Sequence, residues 1–170
     1  MKKIIVAIVA GALLAGAAAC KKSHADVDAQ TAAELDQKLA GMTTYESEGK
    51  QYAEEQLKAD TAYKQTATGL VYKMIAPGAG ETFKPTDNVQ VIYTGQHIGG
   101  EVFDSSEGKP VAFPLQNVVP GFREMITMMR PGARARCIIP GNLAYGQQGN
   151  QGIGPNETLV FDIETVGLTP

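Results

Sequence analysis

His97, Asp104 and Ser105 lie within nine residues of one another and are the side-chain types that hydrolytic chemistry uses. A serine nucleophile needs a strained presenting turn, such as Gly-x-Ser-x-Gly, and a base oriented by a third group. The chain has no such elbow, so the trio is not read as a triad. Asp104-Ser105-Ser106 reads equally well as the start of a loop closed by side-chain to backbone hydrogen bonds. His24, His97, Cys20 and Cys137 are too scattered for metal-ligand spacing, and neither metal nor cofactor is expected. Phe122, Ile153 and Phe161 fit a plain core on periodicity alone, and Tyr145 beside Gly146 fits a turn tyrosine.

The first residues belong to targeting rather than to fold. Lys2 and Lys3 precede an apolar or small run from Ile4 to Ala19, which reads as a secretory signal over residues 1–19. Sixteen such residues fall short of the roughly 20 that cross a bilayer core, which argues against an uncleaved anchor. Ala17-Ala18-Ala19-Cys20 resembles a lipobox, with Ala17 where leucine is usual, so Cys20 is expected to carry lipid and start the mature chain. Cleavage by the ordinary signal peptidase is the alternative. Lys21, rather than aspartate, after Cys20 favours the outer membrane, facing the periplasm. Without Lys2 and Lys3, thirteen basic residues face 18 acidic ones, and a net charge of −5 argues against nucleic acid as a partner. With Cys20 lipidated, Cys137 has no intrachain disulfide partner and reads as core.

Stepping inward, residues 20–33 are polar and aperiodic and read as a tether. Residues 34–66 turn to helix formers, with Leu35, Leu39 and Met42 at helical spacing and Tyr45, Tyr52, Leu57 and Tyr63 more thinly placed. Gly41 and Gly49 interrupt this stripe, which is too sparse for an independent core. From residue 67 the period is that of strands. Leu70, Tyr72 and Met74 oppose Val71 and Lys73; Val89, Val91 and Tyr93 share a face; Leu159, Phe161 and Ile163 oppose Asp162 and Glu164. Ile98-Gly99-Gly100-Glu101 reads as a hairpin turn into a short strand at Val102-Phe103-Asp104, and Ala133 to Ile139 as a further strand. The single convincing helix beyond residue 67 runs from Phe122 through Met125 and Ile126 to Met129, entered by Pro120-Gly121 and stopped by Pro131-Gly132. One helix laid on an antiparallel sheet is an α+β fold.

Five segments in order then resemble the FKBP family of peptidyl-prolyl cis-trans isomerases. They are Val91-Ile92-Tyr93-Thr94-Gly95, Phe103-Asp104-Ser105-Ser106, Val118-Val119-Pro120-Gly121-Phe122, Ala144-Tyr145-Gly146, and Ile153-Gly154-Pro155-Asn156 with Thr158 to Asp162. The leader and helical preface resemble the exported branch that includes macrophage infectivity potentiator proteins. The resemblance implies an antiparallel five- or six-stranded half-barrel wrapped around one short helix over residues 67–170, with an N-terminal helical extension. Carried over, Tyr93, Phe103, Asp104, Val118, Val119, Phe122, Tyr145, Ile153 and Phe161 line an apolar cavity, with Phe122 as floor and Phe103 and Phe161 as walls. Departures are Phe122 where tryptophan is frequent, Val111 where an aromatic is frequent (Phe113 is kept), a Gly146–Gly154 loop about one residue short, and Gly154 where proline is usual.

The implied activity needs no bond chemistry. Rotation about X-Pro crosses a barrier of roughly 18–20 kcal/mol set by amide resonance, and a dry aromatic pocket favours the twisted amide over the planar one. Asp104, Tyr145 and Phe122 are the expected catalytic set. The Val119 N–H and the Tyr145 hydroxyl are expected to hold the peptide, and Asp104 to face the reacting amide. Implied partners are proline-containing unfolded or exported polypeptides, rapamycin-type macrolides as inhibitors, and the membrane through the lipid. The short extension favours a monomer. The alternative is a non-catalytic proline-binding chaperone or adaptor, for which Val111 is the one supporting feature.

Overall fold

A computed structural model describes residues 44–169. The leader, Cys20, the tether and the stripe residues Leu35, Leu39 and Met42 lie outside the described residues. A helix, α1, covers residues 44–59. It is followed by β1 (Lys64–Gln65), β2 (Val71–Pro77), β3 (Asn88–His97), β4 (Val102–Ser105) and β5 (Val111–Pro114). Then come α2 (Pro120–Met128), β6 (Ala133–Ile139) and β7 (Leu159–Leu168), with short 3-10 turns at Leu115–Asn117, Gly141–Leu143 and Gly146–Gln148.

The strands form one unclosed antiparallel sheet in the order β1-β2-β6-β7-β3-β4, with β5 also on β3. The α+β class and the antiparallel sheet around a short helix are as expected, and the described residues form seven strands where five or six are expected. The additions are β1, two residues long within the stretch expected to be helical, and β5, four residues long; runs this short carry too little alternation to be read. Strand β3 organises the rest. One side pairs with β7 from Val89 to His97, while the other is shared between β5 at Asn88–Val91 and β4 at Thr94–Gln96.

Alternation assigns the two faces. Leu70, Val89, Val91, Tyr93, Ala135, Cys137, Ile139, Leu159, Phe161 and Ile163 point into the main core. Helix α2 fills the hollow of the sheet with Phe122, Met125 and Ile126, and Met129 follows; all four are at most 1 % exposed. Each such burial is worth about 1.5–3 kcal/mol. Pro120 opens α2, where its missing N–H is no loss, and the Met129 N–H closes it on the Ile126 carbonyl at 2.9 Å.

The opposite face carries a second apolar patch of Val71, Ile138 and Val160, covered by Tyr52, Ala53 and Leu57 of α1 together with Tyr63 and Ile98. The sparse stripe therefore needs no core of its own, because the sheet supplies one. Gly49, which reads in sequence as an interruption, is a point of contact: a Cβ there would lie 1.9 Å from Thr158 Oγ1. Beyond this patch the outer face mixes ion pairs, Lys73 with Asp60 and Arg136 with Asp162, with the apolar side chains of Ile75 and Ile92.

Candidate functional site

Four elements and two connecting segments supply the expected site residues. Strand β3 supplies Tyr93, β4 supplies Phe103 and Asp104, and the approach to α2 supplies Val118 and Val119. Helix α2 adds Phe122, β7 adds Phe161, and the segment between β6 and β7 adds Tyr145 and Ile153. Tyr93, Val118, Val119, Phe122, Ile153 and Phe161 are buried in one cluster, with Phe103, Phe113 and Tyr145 half-buried against it. Eight of the nine belong to this core cluster, and the ninth, Asp104, is bonded to it through Tyr93. Val111 stays outside the cluster and pairs with Val91.

The rings form a continuous edge-to-face chain. Phe113 meets Tyr93 at 5.8 Å between centroids, Tyr93 meets Phe122 at 6.0 Å, Phe122 meets Phe161 at 5.3 Å, and Phe161 meets Phe103 at 5.7 Å. Each such pair adds about 0.5–1.5 kcal/mol beyond the area it buries. Gly95, quoted in a motif but given no role from sequence, permits the last pair. A Cβ there would lie 2.7 Å from Phe103 and 2.8 Å from Phe161.

Polar groups sit only at the margin. The Tyr93 hydroxyl donates to Asp104 Oδ2 at 2.8 Å, and the Tyr93 N–H donates to the buried Ser106 Oγ at 3.1 Å. Burial, then the Asp104 bond and charge, push the Tyr93 phenol well above its ordinary range. Burial also raises Tyr145, opposed by a hydrogen bond with Asn150 and aided by the charge of Asp104. Both phenols therefore stay neutral at physiological pH. The Val119 carbonyl accepts from the Arg123 N–H at 3.1 Å, while the Val119 N–H is one of those that a helix start leaves without an intrahelical partner.

The loop reading of Asp104-Ser105-Ser106 coexists with this geometry, since Ser105 Oγ accepts from the Glu107 N–H at 3.2 Å. His97 faces Glu157 rather than Ser105, as part of a contact that sequence reasoning missed. Burial drives the Cys137 thiol far up, leaving it an inert core residue. Among the described residues no His, Cys, Asp or Glu cluster could hold a metal. A groove of about 370 Å³ lies elsewhere, between α1 and the segment around Pro140 and Asn156, and contains none of the site rings.

An unclosed antiparallel sheet wrapped over one short helix, with an aromatic chain between them, defines the class. Residues 79–166 match the family described as FKBP-type peptidyl-prolyl cis-trans isomerase. The chain belongs to that family. It is 42 % identical over 127 residues to the FKBP-type peptidyl-prolyl cis-trans isomerase FkpA of Escherichia coli strain K12, covering 74 % of this chain and 47 % of that protein. It is 44 % identical over 108 residues to the peptidyl-prolyl cis-trans isomerase Mip of Coxiella burnetii, covering 62 % and 47 %. The crystal structure of FkpA from Escherichia coli superposes with a TM-score of 0.76 at 35 % identity, covering 88 % of this chain and 75 % of that one. The chain spans about half the length of these two curated relatives.

Proposed function

We propose that residues 67–170 form a peptidyl-prolyl cis-trans isomerase domain that accelerates X-Pro rotation in exported polypeptides without a covalent step. The observation that carries this reading is the unbroken ring chain Phe113-Tyr93-Phe122-Phe161-Phe103, with polar groups confined to its margin. A planar amide keeps its resonance dipole and is best solvated by water, whereas a twisted amide has lost conjugation and is less penalised by an apolar wall. A site that is dry and aromatic therefore discriminates in favour of the transition state. Phe122 is the floor, and Phe103 and Phe161 are the walls. Val118 and Ile153 complete the apolar lining. The Val119 N–H and the Tyr145 hydroxyl hold the peptide backbone. Asp104, fixed by the Tyr93 hydroxyl, faces the reacting amide from the rim.

A proline-limited refolding reaction with purified protein tests the reading directly, and a rapamycin-type macrolide should inhibit it competitively. No acceleration, with proline peptides still bound, would replace the enzyme by the adaptor reading. Loss of both would refute the site. Tyr145→Phe keeps the ring and removes one hydroxyl, so kcat/KM should fall about threefold to tenfold with thermal stability retained. An unchanged kcat/KM would remove Tyr145 from the site.

The same proposal places the protein in the cell envelope as a monomer, lipidated on Cys20 after removal of residues 1–19 and tethered through residues 20–33 to the outer membrane, facing the periplasm. It is supported by Lys2, Lys3, the apolar run and the Ala17-Ala18-Ala19-Cys20 ending. Intact-mass analysis of the mature protein should find a lipid on Cys20, and Cys20→Ser should release the protein from membranes or leave it unprocessed. Membrane association without lipid would refute the anchor.

A further inference from the structure

Glu157 is a carboxylate only 8 % exposed, a position that costs several kcal/mol unless both oxygens are bonded. Both are. Oε1 meets Nδ1 of His97, the last residue of β3, and Oε2 accepts the Gly154 N–H at 2.6 Å. The Glu157 N–H returns a bond to the Gly154 carbonyl at 3.3 Å, so Gly154 is gripped through both of its backbone groups. On its other side Gly154 lies against α1, where a Cβ would come within 2.6 Å of the Tyr45 ring. The His97 ring in turn stands edge-on to Phe103 at 5.4 Å. One carboxylate thus joins the Phe103 wall to the loop that carries Ile153.

We propose that Glu157, oriented by His97, is a positioning residue that fixes Ile153 and its loop against the aromatic cluster and so sets how tightly a proline peptide is held. This rests on the isomerase reading. Hydrogen bonds to a charged acceptor are roughly twice as strong as neutral ones, which suits a single side chain holding a loop end. The loop contacts the ligand before and during rotation alike, so losing its anchor removes uniform binding and shows in KM rather than in kcat.

The test combines steady-state isomerisation of proline peptides with amide hydrogen exchange at Gly154 in the purified protein. In Glu157→Ala the Gly154 amide should exchange at least about tenfold faster, and KM should rise about threefold to tenfold with kcat within about twofold. Glu157→Gln keeps an acceptor for the Gly154 N–H and should recover most of both losses. His97→Leu keeps the carboxylate but frees it, and should shift KM in the same direction by less. It also tests the idea should Glu157→Ala fail to fold. Unchanged Gly154 exchange in Glu157→Ala and His97→Leu would show that the anchor does not exist, and faster exchange with unchanged KM in these two would show that it does not position the site. A wild-type protein inactive on every proline substrate would fail the isomerase reading instead, while Gly154 exchange would still report whether Glu157 holds the loop.

Discussion

Phe122→Ala is expected to cost about 3–5 kcal/mol of stability and to cut kcat/KM roughly tenfold to a hundredfold. The residue is 1 % exposed and touches Tyr93 and Phe161 edge-on at 6.0 and 5.3 Å. Truncation breaks the ring chain in its middle and removes two aromatic pairs worth about 0.5–1.5 kcal/mol each. The stability loss also includes the void that α2 leaves when its largest buried side chain is removed. Urea unfolding gives the first quantity and proline-limited refolding, run where the variant is still folded, gives the second. A variant that loses the stability but turns over normally would show that Phe122 is core and not floor.

Gly141→Ala should lose about 2–3 kcal/mol, more than most single-methyl insertions. Alanine in place of glycine normally gains about 0.5–1 kcal/mol from a less flexible unfolded chain, so sterics must decide the sign. Here the added Cβ would lie 2.2 Å from the Asn156 carbonyl carbon, 2.3 Å from its oxygen and 2.5 Å from its Cα. All three are backbone atoms, and Asn156 is already held at φ +53° with its N–H on the Gly146 carbonyl at 2.8 Å. No side chain can swing aside, so the penalty belongs at the upper end of overpacking costs. The displaced segment runs from Ile153 to Glu157, so kcat/KM should fall along with stability. A thermal unfolding midpoint equal to wild type would contradict the argument.

Much of the fold can be read from the chain because its strands alternate cleanly. Val89, Val91 and Tyr93 on β3 and Leu159, Phe161 and Ile163 on β7 face inward as their spacing implies, and α2 buries the expected stripe. The outer patch has no pattern of its own because Val71, Ile138 and Val160 are each flanked by inward-facing core residues, and they become a surface only when three strands are aligned. Gly49 and Gly141 look like breakers, since close approach is a property of the partner backbone or side chain and leaves no local trace. The aromatic cluster was legible through ordered motifs rather than through period, which alone assigns its members to ordinary core. His97 and Glu157 are 60 residues apart, carry no shared pattern, and meet only because β3 ends beside the loop that leads into β7.

The sheet is open, and under the proposed function, in which the protein handles unfolded chains, an open sheet is a hazard. Unpaired N–H and C=O groups along a strand invite any extended polypeptide to add itself as the next strand, a common start of aggregation. Here each free border is interrupted. Strand β1 offers two residues, β4 offers four, and β5 ends on Pro114, which has no N–H to donate. The part of β2 that β1 leaves uncovered is bent by a bulge between Met74 and Ala76 and closes on Pro77. On the proposed reading a client would be engaged through a proline without being captured through its backbone, and would leave as readily as it arrives.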